Sequence, residues 1–129
     1  MSREAPCSER VKPRWESRKE ALVLFMAGPD PEHDTHSFLQ YALSFDYVPP
    51  LTWADQPVGF WRYQISWGGP SDEIRFWSKD QRTILSAEYR FMDWGDGAGI
   101  DVTHEPCVQW LWGSLKSHDA VRQAHKAAV

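Results

Sequence analysis

Alternation of large apolar and polar side chains from Phe60 to Trp67 is the feature that most constrains how this chain can fold. Four large apolar side chains occupy every second position there, and arginine, glutamine and serine fill the positions between them. The apolar positions are Trp61, Tyr63, Ile65 and Trp67. This two-residue period is typical of a strand with one buried and one solvated face. The Gly-Gly-Pro-Ser sequence at 68–71 then predicts a turn that ends the strand.

Two further β-rich runs follow after short turns, at 74–77 and 85–92, and the second again alternates apolar with polar residues. Short connections favour antiparallel neighbours, and three strands cannot close a core alone. We therefore predict an α+β fold in which a three-stranded antiparallel meander is covered by N-terminal and C-terminal helices. The meander has four strands if 100–102 forms a further one. Its polar face would carry Arg62, Arg75, Glu88 and Arg90.

Helical segments are predicted on both sides of the meander. Residues 1–14 are polar and charged, which predicts a flexible arm, so that a single domain would span 15–129. Apolar spacing predicts a helix from Trp15 to the stop at Gly28, although 21–26 could also form a buried strand. Two more helices are predicted from stripes with helical spacing, and 118–129 reads as a peripheral tail helix. The stripes are Phe38, Tyr41, Ala42 and Phe45, and Val108, Leu111, Trp112 and Leu115.

Eight tryptophans in 129 residues predict a core dominated by aromatic packing, and four of them fall within the meander region. The two cysteines form no C-x-x-C pair, which indicates a reducing compartment rather than a disulfide scaffold. The one apolar run, at 21–27, is too short to span a bilayer or to serve as a signal peptide. We therefore expect a soluble protein of the bacterial cytoplasm.

The charge distribution says more than the net charge of −4. Residues 30–105 carry five Lys or Arg and thirteen acids, so this middle segment has a charge of −8. Such a field disfavours direct nucleic-acid binding and favours a basic protein partner. The acids that we expect to contact that partner lie in predicted turns and loops. They are Asp30, Glu32, Asp34, Asp72, Glu73, Asp93, Asp96 and Asp101.

Candidate catalytic and metal-binding patterns are weaker. The acids between Asp93 and Asp101 surround three glycines and suggest calcium, but their spacing is not that of an EF-hand loop. His33 and His36 lack a third ligand positioned by sequence. His104 near Cys107 departs from the zinc deaminase signature, and a thiol–imidazole pair there lacks an orienting group. We therefore expect no catalytic residue, metal or cofactor.

Two segments of the chain carry a resemblance to known proteins. The segments are RYQISWGGPSDEIRF at 62–76 and EYRFMDWGDGA at 88–98. With them, the region from about residue 60 to 112 resembles small uncharacterised proteins of bacterial and phage mobile elements. Some small acidic proteins from such elements inhibit bacterial defence complexes, and anti-CRISPR proteins are among them. The resemblance implies a role of this kind without assigning a function to any residue.

These observations lead to one main hypothesis and two alternatives. The main hypothesis is a non-enzymatic acidic interaction protein that blocks a basic nucleic-acid-binding site, such as that of a subunit of a type I CRISPR surveillance complex (Cascade). The first alternative is a small hydrolase or metal-dependent enzyme that uses the Asp93–Asp101 loop with His104. The second is a binding module with an aromatic groove, which would expose a tryptophan patch. The sequence does not predict the oligomeric state.

Overall fold

In a computed structural model of the chain, the described residues are 5–28 and 37–129. They form helices and strands in the order α1, α2, β1 to β5, α3 and α4. The helices are α1 (Cys7–Met26), α2 (Ser37–Tyr41), α3 (Pro106–Ser117) and α4 (Ala120–Ala128). The strands are β1 (Ser44–Val48), β2 (Phe60–Ser66), β3 (Ser71–Trp77), β4 (Ser86–Asp93) and β5 (Asp96–Asp101). None of these helices is long and apolar enough to cross a membrane.

The strands form one antiparallel sheet in the order β1-β2-β3-β4-β5. All four helices contact the same face, which we call the inner face. The indole of Trp15 in α1 packs on Tyr89, and that of Trp112 in α3 packs on Phe76. The predicted α+β class and antiparallel meander are therefore confirmed, but the sheet has five strands rather than three or four.

The first additional strand is β1, where we predicted the end of a helix. Within the described residues α2 ends at Tyr41, and Phe45 lies on β1 opposite Tyr63. The prediction that Phe45 belongs to a helical stripe was therefore wrong. Residues 44–48 also fit a two-residue period, and pairing with β2 buries one side of them against the core. That long-range pairing outweighs the local helical spacing.

The second additional strand is β5, which occupies the glycine-rich segment that we predicted to be mostly loop. It pairs with β4 through a two-residue turn in which Trp94 and Gly95 both have positive φ, at 53° and 75°. Positive φ at both central residues gives a turn whose twist matches that of a hairpin. The strand predicted at 100–102 therefore begins earlier, at Asp96.

Helix α1 begins well before the predicted Trp15. Cys7 and Val11 are buried, and the backbone N–H of Cys7 donates to Asp96 Oδ2 at 2.9 Å. A carboxylate at this position satisfies one of the N–H groups that a helix leaves unpaired at its N-terminus. Residues 7–14, which we placed in an arm, are thus the first turns of a packed helix, and residues 1–4 lie outside the described part.

The core lies between the helices and the inner face. The predicted stripe of α3 is confirmed, since all four of its residues are buried, and the tail helix α4 buries only Val121. The Trp61 indole donates to the Val121 carbonyl at 3.0 Å and so ties α4 to β2. The prediction that tryptophans form the core holds for Trp15, Trp61 and Trp112, whereas others are exposed.

Two buried phenols predict a loss of stability in alkali. The Tyr63 hydroxyl donates to the Phe38 carbonyl and that of Tyr89 to Asp72 Oδ2, and burial raises both pKa values well above 10.0. The unfolded chain ionises near pH 10, so this stability is present below pH 10 and declines above it. The loss is about 1.4 kcal/mol per pH unit for each phenol.

Urea unfolding between pH 9 and about 11.5 measures this decline. Tyr63→Phe and Tyr89→Phe should each flatten the profile above pH 10. A wild-type profile that is already flat there would contradict the assignment of these two phenols.

Candidate functional site

The face of the sheet opposite the helices, here called the outer face, carries polar side chains over most of its area. Strand register places one residue from each strand side by side in a row. The row from β1 to β5 is Asp46, Arg62, Arg75, Glu88 and Asp101. These side chains are half-buried, except for exposed Asp101, which confirms the predicted polar face.

Asp72, one of the predicted partner-binding acids, is a buried structural carboxylate. It lies on the inner face and is 2% exposed. Arg18 of α1 donates to both of its oxygens, at 2.7 and 3.1 Å, and the hydroxyls of Tyr89 and Ser66 also donate to it. Our interpretation of Asp72 as a surface acid was therefore wrong, because the register of β3 turns it toward α1.

Glu73 and Asp93 are also removed from the surface. Glu73 is 2% exposed and pairs with Arg75 at 2.6 Å, whereas Asp93 is 8% exposed and its Oδ2 pairs with Arg10 at 2.8 Å. The other oxygen, Asp93 Oδ1, is buried without a hydrogen-bond partner among the described residues. Burial therefore contradicts the expectation that these two acids lie on the surface.

Asp96 and Asp101 are exposed, at the two ends of β5. The Cys7 and Gly97 N–H groups hold the pKa of Asp96 below its ordinary value, and hydrogen bonds from Thr103 do the same for the pKa of Asp101. Both carboxylates are thus charged at neutral pH. Asp30, Glu32 and Asp34 lie outside the described residues. Of the five acids that the structure describes, Asp93 and Asp96 are partners in strand register, but the five do not share one exposed surface.

The alternative catalytic arrangement lacks convergence in the described ranges. Asp93 and Asp101 are separated by β5, whose length is about 17 Å at 3.3 Å per residue. No group of three or more His, Cys, Asp or Glu within the described residues could hold a metal ion. Cys107 is buried, and burial raises the pKa of its thiol, opposite to what an activated nucleophile needs. His33 and His36 lie outside the described ranges.

An apolar groove crosses one end of the outer face. It consists of two adjoining hollows of about 590 and 570 Å³ that share Val58 and Trp77 in their walls. Trp53 and Phe60 lie toward one end of this groove and Leu85 toward the other. Val58 is 59% exposed, Leu85 55% and Trp53 43%. Apolar concave surfaces of this kind are the usual sites of ligand and peptide binding.

The loop between β1 and β2 forms one wall of the groove and is held by Gln56. The Gln56 amide donates to the carbonyls of Pro49 and Val58, at 2.9 and 3.1 Å. Trp53 at the loop tip packs on Phe60 with ring centroids 5.7 Å apart. The Arg75 guanidinium lies over both rings, at 4.7 Å from Phe60 and 5.3 Å from Trp53.

An aromatic groove was one of the two alternatives proposed from the sequence, but its location was not predicted, although a signal was present. Phe60 and Trp77 occupy positions on the otherwise polar face of the meander, and the segment 51–59, for which no helix or strand was predicted, also holds apolar residues. Two further indoles, Trp67 and Trp94, are 74% and 97% exposed in turns at the opposite end of the sheet. They therefore lie apart from the groove.

Comparison with protein families, curated proteins and solved structures found no similar protein. The chain matches no family model, no curated protein and no solved structure. The resemblance to proteins of mobile elements therefore stays a prediction.

Proposed function

We propose that this chain is a non-enzymatic interaction protein that binds an extended segment of a partner protein in the groove. The observation that supports this is the exposure of Val58, Leu85 and Trp53 in one concave surface. Covering the exposed half of each side chain would contribute about 1 kcal/mol. Bound apolar side chains of the partner would add a comparable amount.

Rigidity of the groove walls favours binding as well. The floor is a strand-paired sheet, and the Gln56 hydrogen bonds hold the loop of Trp53 in place before any partner arrives. A surface that is ordered in advance loses little conformational entropy on binding. This distinguishes the groove from the hollow beside Val23 and Leu24, whose described lining residues all belong to the single helix α1.

Substitution of the two most exposed aliphatic groove residues tests the proposal. The variant Val58→Gln/Leu85→Gln should lose at least nine-tenths of any partner captured from a bacterial lysate by the tagged wild type. The charge is unchanged, and both side chains are more than half exposed, so the fold should persist. Quantitative mass spectrometry of the captured proteins measures the loss.

A matched control makes the same chemical change elsewhere. Val23 and Leu24 on α1 are 39% and 71% exposed and lie outside the groove. The variant Val23→Gln/Leu24→Gln should capture the partner as well as the wild type does. Equal capture by the wild type and both variants, or loss in the α1 variant alone, would contradict the groove as the binding site.

A second candidate function is the acidic inhibitor of a basic nucleic-acid-binding protein, with a type I CRISPR surveillance complex as the proposed partner. The charge of −8 in residues 30–105 and the exposure of Asp96 and Asp101 support it. The same capture experiment, carried out at low and at high salt, distinguishes the two functions. Salt screens exposed ion pairs and so weakens them, whereas it leaves the burial of apolar surface intact. A partner released by high salt and insensitive to the groove variant indicates the acidic mode.

A further inference from the structure

The two ends of the groove differ in charge. Its end beyond Leu85 is lined by Glu88 and Asp101, which lie directly opposite each other on β4 and β5. Both side chains lie on the outer face, so two negatively charged groups border this hollow. Lys79 also lines that hollow, which leaves one net negative charge at this end of the groove.

The arginines nearest to Glu88 make only one long ion pair with it. Arg75 is its neighbour in register, but the Arg75 guanidinium bonds to Glu73 at 2.6 Å and lies over Phe60. Arg90 approaches Glu88 only to 3.5 Å, at the outer limit of a hydrogen bond. The Glu88 carboxylate can therefore accept further hydrogen bonds at the edge of an apolar surface.

Both carboxylates are held in place. Glu88 lies over Gly99 of β5, where a Cβ atom would come within 2.5 Å of the carboxylate. The Thr103 backbone N–H donates to Asp101 Oδ1 at 2.9 Å. Two carboxylates therefore present negative charge at the edge of the hollow that is lined by Val58, Trp77 and Leu85.

We propose that the groove recognises an extended partner segment in which a large apolar side chain and a Lys or Arg lie two residues apart, in either order. The apolar side chain lies against Val58 and Trp77, and the cationic head binds Glu88 and Asp101. In an extended chain, side chains two residues apart point to the same face and lie about 7 Å apart. This inference rests on the proposed groove function and names its partner chemistry.

Short peptides test the inference directly. The probes are acetylated, amidated pentapeptides Ser-Phe-Ser-X-Ser and their reversed sequences, with X as Arg, Gln or Glu. In at least one chain direction, the Arg peptide should bind the wild type about tenfold more tightly than the Gln peptide, which is the effect of one charge-assisted contact. The Glu peptide should bind most weakly. Titration monitored by NMR measures the dissociation constants.

Two variants separate charge recognition from apolar binding. Glu88→Gln/Asp101→Asn keeps side-chain size and should bring the Arg and Gln peptides within about twofold of each other. Val58→Gln/Leu85→Gln should weaken all peptides. Equal binding of the Arg and Gln peptides by the wild type overturns the inference and leaves the groove function standing. Absence of binding by every peptide also overturns the inference, and the capture experiment then decides the groove function separately.

Discussion

Replacing Arg18 with Met will lower the free energy of unfolding by about 3 kcal/mol, because it leaves the Asp72 carboxylate buried without its cation. The Asp72 side chain is 3% exposed, and Arg18 supplies two of the hydrogen bonds that it accepts. The hydroxyls of Tyr89 and Ser66 remain, but neither carries positive charge. Urea unfolding followed by tryptophan fluorescence measures the change.

An ion pair with a less buried carboxylate provides the control. Arg62 bonds to Asp46 on the outer face, where the Asp46 side chain is 42% exposed. Arg62→Met should therefore cost at most about 1 kcal/mol. The double variant Arg18→Met/Asp72→Leu should recover much of the loss, since it removes the uncompensated charge. Equal costs for the two single variants would contradict the structural role of Asp72.

Replacing Trp112 with Ala will lower the free energy of unfolding by about 3–5 kcal/mol, the range for large-to-small changes in a packed core. Trp112 is 3% exposed, and its ring lies 5.1 Å from Phe76 and 5.6 Å from Trp61. Its indole N–H donates to the Arg82 carbonyl at 2.9 Å. The substitution thus opens a cavity between α3 and the sheet and breaks a contact with the β3–β4 turn.

The same chemical change at Trp94 provides the comparison. Trp94 is 97% exposed in the β4–β5 turn, so Trp94→Ala should change the free energy of unfolding by about 0.5 kcal/mol or less. Thermal unfolding of both variants and the wild type gives the difference. A destabilisation by Trp94→Ala as large as that by Trp112→Ala would show that the core had been placed wrongly.

The predictable part of the fold is the part that local spacing determines. The two-residue period of β2 and the helical stripe of α3 each sort apolar from polar residues within a short window. Both elements were found, although β2 ends before Trp67, which was predicted to lie on its buried face and is 74% exposed. Strand β1 was missed because Phe45 fits a helical stripe and a strand equally well, and only its pairing opposite Tyr63 decides between them. Strand β5 was only partly predicted because glycines weaken any strand signal.

The net charge of a segment does not show which of its acids are buried, and this explains why several candidate acids were wrongly placed on the surface. A sum over residues 30–105 treats every carboxylate as solvated, whereas Arg10 and Arg18 lie outside that segment and reach it only after α1 has folded onto the sheet. Ion pairs across more than fifty residues leave no local pattern in a sequence. The groove was predictable in part, since Phe60 and Trp77 interrupt a polar face.

The measurement that most directly tests partner binding in the groove is amide hydrogen exchange of this protein with and without the captured partner. Residues 51–58 and 78–86, which flank the groove, should exchange more slowly in the complex. The turn at Trp94 and Gly95, at the far end of the sheet, should be unchanged. Protection confined to that turn or to α1, with 51–58 and 78–86 unaffected, would contradict the groove as the site of binding.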